Sequence, residues 1–245
     1  MSRKKLKTVG VLGGMGPEAT AYFFGELIRA TKAVSDQDHV PVIVYSLPQV
    51  PDRTGAILHG GRSPLPFLRR GLRALERAGA DFAVMPCVTA HFFHSKLAVR
   101  SPLPILNLLE EALAEVKRLH PVPESIGLIA TDGTVRSGIV SCQFEAAGMR
   151  VLLPSARDQK RVMAAICGKK GIKAGFTAGR PREIILEVAR ALVRRGAGAV
   201  MAGCTEVPLV LRASDLPVPL IEPMTIGARA AVRRSGARLN LCVPG

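Results

Sequence analysis

Short apolar runs alternate with amphipathic stretches along the whole chain. "KTVGVLGG" (7–14), "VPVIVYS" (40–46), "DFAVMP" (81–86) and "LPILN" (103–107) have the length and apolar continuity of buried strands. "SIGLIA" (125–130), "MRVLLP" (149–154), "GAVMAG" (198–203) and "VPLIE" (218–222) form a second set of four. Between them the pattern becomes helical, over about 17–33, 65–78, 108–118, 137–147, 158–168 and 181–195. Within 67–78, Leu68, Leu72 and Leu75 mark one helical face while Arg69, Arg70, Arg73 and Arg77 take the solvated side. Apolar strands alternating with helices predict an α/β protein whose parallel sheets are covered on both faces.

The second set repeats the first at a constant shift of 117 residues, the step from Cys87 to Cys204. The same step carries Gly10 to Gly127, and Leu68, Leu72 and Leu75 to Ile185, Ala189 and Leu192. Gly79 and Ala80 fall on Gly196 and Ala197. After a two-residue slip, Pro102, Pro104, Ile105 and Leu106 match Pro217, Pro219, Leu220 and Ile221. This predicts two similar domains, each a four-stranded parallel sheet flanked by helices, related by a pseudo-twofold axis. The division it suggests is residues 1–117 with a C-terminal helix in 223–245, against residues 118–222. Ligands of open parallel sheets bind beyond the carboxyl ends of the strands, and domain interfaces are common sites, so the cleft between the halves is the expected site.

Composition narrows the partners. The 245 residues are 48% hydrophobic and 22% charged, and no apolar run approaches a membrane span. The basic start "MSRKKLK" runs into "GGMGPE" instead of a signal-peptide core, so a cytoplasmic location is expected. The net charge of +15 is spread over several helices, and with no Trp and two Tyr there are few stacking platforms for nucleic acid. Five cysteines without a CxxC pair read as free thiols, and no Cys/His cluster or HExxH suggests a metal site.

Two cysteines stand apart. "MPCVTAH" (85–91) and "MAGCTE" (201–206) each put a cysteine at a strand end, before a predicted helix, at equivalent points of the repeat. A helix N-terminus stabilises a thiolate. Thiols on opposite sides of one cleft suit removal of a proton from a carbon on one face and its return on the other. Thr89 and Thr205 could offer hydroxyl and backbone donors to a substrate carboxylate. "LGGMGPEAT" (12–20) matches neither GxGxxG nor a Walker loop. It reads equally as a tight turn and as a loop in which Gly14, Met15 and Gly16 bring backbone close to a small anion.

With these stretches, "PQVPDRT" (48–54), "LIATDGTVRSG" (128–138), "IKAG" (172–175) and "AGCTEVPLVL" (202–211) make the chain resemble the cofactor-independent aspartate/glutamate racemases, most closely the aspartate branch. The resemblance implies a homodimer that racemises a small acidic amino acid, most closely aspartate, without pyridoxal phosphate or metal. It implies acid/base roles for Cys87 and Cys204 and carboxylate contacts from Thr89 and Thr205, to which the loop reading adds Met15 and Gly16 as substrate contacts. Arg53 and Lys173 resemble the cations that hold the distal carboxylate. His91 reads as satisfied by local backbone, and Cys142, Cys167 and Cys242 as structural. Val88 stands where the family commonly has Asn, an apolar group for an amide, which opens the choice of substrate to glutamate or cysteate. A one-thiol lyase of the same superfamily and a non-catalytic amino-acid-binding protein are the readings from other classes.

Overall fold

The structure, a computed structural model, describes residues 5–240. Cys242 lies outside them. Every predicted strand is present, shorter than the apolar run that announces it: β1 (Val9–Gly13), β2 (Val42–Ser46), β3 (Phe82–Val84), β4 (Ile105–Leu106), β5 (Ser125–Ile129), β6 (Arg150–Leu152), β7 (Ala199–Ala202) and β8 (Leu220–Ile221). They form two four-stranded sheets, in the orders β2-β1-β3-β4 and β6-β5-β7-β8, with every pairing parallel.

The repeat is visible in atomic detail. β1 pairs with β3 through Val9–Phe82, Gly10–Ala83 and Val11–Val84, and β5 with β7 through Ile126–Ala199, Gly127–Val200 and Leu128–Met201, each position 117 residues on. Gly10 and Gly127 are glycines for one reason. A Cβ on Gly10 would meet Ala80 at 2.9 Å and Leu75 at 3.2 Å; on Gly127 it would meet the equivalent Ala197 at 3.3 Å and Leu192 at 2.8 Å. Each sheet thus has a helix seated closely on its first strand.

The helices are α1 (Pro17–Ala30), α2 (Arg53–Leu58), α3 (Leu65–Arg77), α4 (His94–Ala98), α5 (Leu108–Val116), α6 (Asp132–Ser137), α7 (Ile139–Glu145), α8 (Ala156–Cys167), α9 (Arg180–Arg194) and α10 (Pro223–Ser235). The helix predicted over 17–33 stops at Ala30, and the one over 137–147 is preceded by a separate α6, the break falling at Gly138 with φ 70°. The six-, five- and six-residue helices α2, α4 and α6 were not anticipated, being too short to show an amphipathic period. A larger correction concerns the cysteines. Neither is followed directly by an α-helix: Cys87 leads into a 3-10 turn over Thr89–Phe93 that runs on into the short α4, and Cys204 into a three-residue 3-10 turn over Val207–Leu209. The turn after Cys204 aligns too few peptides to supply the dipole expected to stabilise its thiolate.

The core is continuous across the halves. Leu109, Ala112 and Val116 of α5 pack with Ile126, Leu128, Val140, Phe144 and Met201 of the second half. The chain then returns: α10 packs on α1 and α5, so closely that a Cβ on Gly227 would lie 2.2 Å from Leu108 Cδ2. The cleft face is closed by α2 against α6, where a Cβ on Gly133 would meet Thr54 Oγ1 at 2.7 Å and Thr89 Cγ2 at 2.9 Å. Among the described residues no helix is long and apolar enough to cross a membrane.

Candidate active site

The loop after β1 is held by one threonine. Gly14, at φ 89°, brings its backbone so close to Leu47 that a Cβ would lie 2.4 Å from main-chain atoms. Its N–H donates to Thr20 Oγ1 at 2.8 Å, and the same hydroxyl donates to Gly16 O at 2.8 Å. So pinned, the loop turns the Gly16 N–H toward a carboxylate oxygen of Glu206, 3.3 Å away. The Met15 carbonyl accepts from Arg53 Nη2 at 3.3 Å and Lys173 Nζ at 3.5 Å. The loop is the tight turn that the sequence suggests, and the anion that the Gly16 N–H meets belongs to the protein itself.

Cys87 and Cys204 are buried, 4% and 5% exposed, and both line one cavity. Met15, Arg53, Thr89, Lys173 and Thr205 line it too, so the residues singled out from the sequence converge, with Gly16 reaching it through Glu206. Asp52, Thr54, Val88, Thr131, Cys167 and Glu206 complete the wall. The free space is about 30 Å³. That is room for about one water, so admitting an amino acid requires the cleft to open. A wider groove of about 570 Å³ lies beside Arg69, Arg73 and Arg100, but it gathers no acid/base pair; chemistry rather than size selects the cleft.

Glu206 organises one side of the cavity. It is 2% exposed. Its Oε1 accepts from Lys173 Nζ at 2.7 Å, and its Oε2 accepts from Cys204 Sγ at 2.9 Å and Thr205 Oγ1 at 3.2 Å. Burial opposes its charge, but the Lys173 ammonium and these donors outweigh burial and hold the carboxyl below its ordinary range. Burial likewise opposes the charge on Lys173, but the Glu206 carboxylate together with Cys204 and Cys87 outweighs it, so the ammonium titrates above its usual range. Cys204 goes the other way: burial, then the Glu206 charge, push its thiol well above the ordinary value. Cys204 therefore rests as a protonated thiol, not as the low-pKa thiolate that its place in the sequence suggested.

The other polar groups are engaged as well. Thr89 Oγ1 lies 3.0 Å from Thr131 Oγ1 and 2.9 Å from Thr134 Oγ1, a hydroxyl cluster joining the two halves. Arg53 opens α2, whose N-cap Asp52 accepts from Gly55 N at 2.6 Å. Its Nη1 donates to Val50 O and Pro51 O, both at 3.2 Å, while its buried Nε has no partner and no carboxylate among the described residues pairs with it. Val88 is buried against Leu109 and Ala112.

The match to a family model described as Asp/Glu/hydantoin racemase runs over residues 12–231. The chain belongs to this racemase family. Over 96% of both chains it is similar to the aspartate racemase of Picrophilus torridus, with 31% identity and a TM-score of 0.84. It is 25% identical to the broad specificity amino-acid racemase RacX of Bacillus subtilis (strain 168), over 91% of this chain and 96% of that protein. A glutamate racemase from Francisella tularensis subsp. tularensis SCHU S4 shares the fold at a TM-score of 0.67 and 16% identity, over 94% of this chain and 81% of that one. The chain is accordingly an amino-acid racemase, an isomerase.

Several residues of this racemase's cleft escaped the sequence. Glu206 closes the quoted "GCTE" and is a lone carboxylate before an apolar stretch, a usable sign of a buried charge. Thr131 and Thr134 sit in "ATDGT" with nothing to mark their cross-cleft contact. Cys167, read as structural, lines the cavity.

His91 fits its local reading. Leu108 N–H donates to its Nε2 at 3.1 Å, which leaves Nδ1 to donate to Cys87 O at 2.9 Å. Burial lowers its pKa from 6.5 to about 4. Between those values the unfolded chain takes up a proton that the native imidazole refuses, so stability present above pH 6.5 is lost as the pH falls toward 4. The loss amounts to about 3 kcal/mol. Urea melts at pH 7 and pH 4.5 should show His91→Gln losing less stability on acidification than wild type; equal losses would refute this.

Proposed function

We propose that the protein inverts Cα of an acidic amino acid, aspartate by preference, with Cys87 and Cys204 as the acid/base pair. The observation that carries the reading is two buried thiols, at equivalent positions of a repeated fold, lining one cavity. The Cys87 thiolate takes the Cα proton, and the Cys204 thiol delivers its proton to the opposite face. The cycle leaves Cys87 as thiol and Cys204 as thiolate, and the reverse reaction exchanges the roles. Thr89 and Thr205 hydroxyls turn from their protein partners to the substrate's α-carboxylate, with Met15 and Gly16 forming the floor. Arg53, which has no carboxylate partner among the described residues, takes the distal carboxylate. The halves 1–117 with 223–245 and 118–222 act as jaws around the substrate, in a cytoplasmic homodimer that needs no added pyridoxal phosphate or metal.

The likeness to an aspartate racemase supports the acidic substrate. A specific observation favours a broader second reading. Lys173 is already neutralised by Glu206, and Val88 gives the wall an apolar face, so among the described residues the site offers one cation without a carboxylate partner, Arg53, rather than two. The likeness to a broad specificity racemase points the same way. A chiral assay of L-aspartate, L-glutamate, L-cysteate, L-alanine and L-serine without added cofactor separates the readings. Aspartate should lead. Alanine or serine turning over as fast as the best acidic substrate would overturn the acidic assignment, and no racemisation of any amino acid would overturn the mechanism.

A further inference from the structure

We infer that Glu206 is a positioning residue that makes Cys204 the resting acid of the pair, which deepens the two-thiol reading and rests on it. The geometry is specific. A carboxylate with 2% exposure sits two residues beyond Cys204, accepts its thiol hydrogen at 2.9 Å, and is fixed from its other oxygen by Lys173 at 2.7 Å and the Gly16 N–H at 3.3 Å. A carboxylate so held stays charged, so a hydrogen between it and sulfur belongs to the sulfur. Among the described residues no carboxylate is hydrogen-bonded to Cys87. The position equivalent to Glu206, 117 residues earlier, is the uncharged Thr89, whose hydroxyl is engaged with Thr131 and Thr134.

The asymmetry has a consequence in turnover. When Cys204 gives its proton to the substrate carbon, a thiolate is left beside a buried carboxylate, and the two repel. The free enzyme therefore returns to the state in which Cys204 holds its proton and Cys87 is left to act as the base. In that state it is ready for the enantiomer whose Cα–H faces Cys87. Other charged or titratable groups around the cavity are Lys173 from the turn at 172–174, Arg53 and Asp52 from the start of α2, Cys87 after β3 and Cys167 at the end of α8. Of these, Lys173 and Arg53 favour a Cys204 thiolate, and Asp52 and ionised Cys87 and Cys167 oppose it. Among the described residues, Glu206 is the charged group in hydrogen-bond contact with the sulfur.

Because racemisation needs one thiolate and one thiol, the alkaline limb of kcat/KM reports loss of the last thiol proton, a property of the coupled pair. Glu206→Gln keeps the side chain's size and an acceptor but removes the charge. The alkaline limb should move to lower pH by about one to two units, while the acid limb moves less. Alkylation of Cys204 by iodoacetamide, followed as the mass of its own peptide, should move to lower pH by a similar amount in the same variant. That readout needs no turnover. Unchanged labelling and an unchanged alkaline limb would overturn the role of Glu206 while leaving the two-thiol mechanism standing; absence of racemisation in the wild type would instead remove the mechanism. If Glu206→Gln fails to fold, the wild-type protein decides by infrared spectroscopy. An S–H stretch that persists at about pH 10, where an ordinary thiol is ionised, and that disappears in Cys204→Ala supports the inference, and its absence from the wild type at that pH overturns it.

Discussion

Replacing Cys87 or Cys204 by alanine should lower racemisation by about 10³- to 10⁴-fold in both directions, since each direction needs one thiol as base and the other as acid. The loss should not come from unfolding. Both side chains line the cavity and also pack in the core, so thermal melts should show folded variants with a stability loss of about 1 kcal/mol, far too small to explain the lost rate. Each variant should also keep half of the chemistry. Cys204→Ala retains Cys87, which can still take the Cα proton of the enantiomer facing it and return solvent hydrogen to the same face. The expected result is slow Cα exchange with deuterated solvent without inversion, for one enantiomer only, and for the opposite enantiomer in Cys87→Ala. Either variant keeping most of the wild-type racemisation rate would refute the pairing.

The second large effect is at Arg53. Removing one partner of a desolvated charge pair costs about 2–5 kcal/mol, so Arg53→Ala should lower kcat/KM for aspartate by about 30-fold to several thousand-fold. Part of that loss reflects the Val50, Pro51 and Met15 carbonyls the guanidinium holds, and this part should fall on every substrate alike. The diagnostic quantity is therefore the ratio of aspartate to alanine turnover, which should collapse. Lys173→Ala should behave differently. It strands the buried Glu206 carboxylate, so it should lower thermal stability and slow all substrates without changing their order. If Arg53→Ala leaves the ratio unchanged, Arg53 is a loop clamp and the distal carboxylate is bound elsewhere.

Much of this architecture is legible because buried parallel strands are apolar on both faces. β1, β3, β5 and β7 therefore read as nearly continuous runs, and the repeated Gly10/Gly127 and Gly79/Gly196 pairs mark the same close packing and positive-φ turns twice. The two thiols follow from that repeat and the strand ends. What stayed hidden depends on contacts between residues far apart in sequence. The Thr89 cluster with Thr131 and Thr134, and the seat of Gly133 against Thr54, exist only once the halves close. The 3-10 turns after the cysteines were mistaken for helices because a strand followed by small and polar residues looks alike in both cases. The lone carboxylate of Glu206 before an apolar stretch hints at burial, but the cation that neutralises it, Lys173, lies 33 residues earlier and comes beside it only in the fold.

The central claim is that two different sulfurs serve opposite faces of one carbon. The most direct measurement is the reaction of one pure enantiomer of aspartate in deuterated water, stopped at low conversion, with the isotope at Cα read separately in substrate and product. Two opposed thiols predict deuterium at Cα in nearly all of the product and protium retained in the remaining substrate. Deuterium entering the recovered substrate as fast as the product, or product that keeps the original protium, would mean a single group serves both faces and would contradict the account.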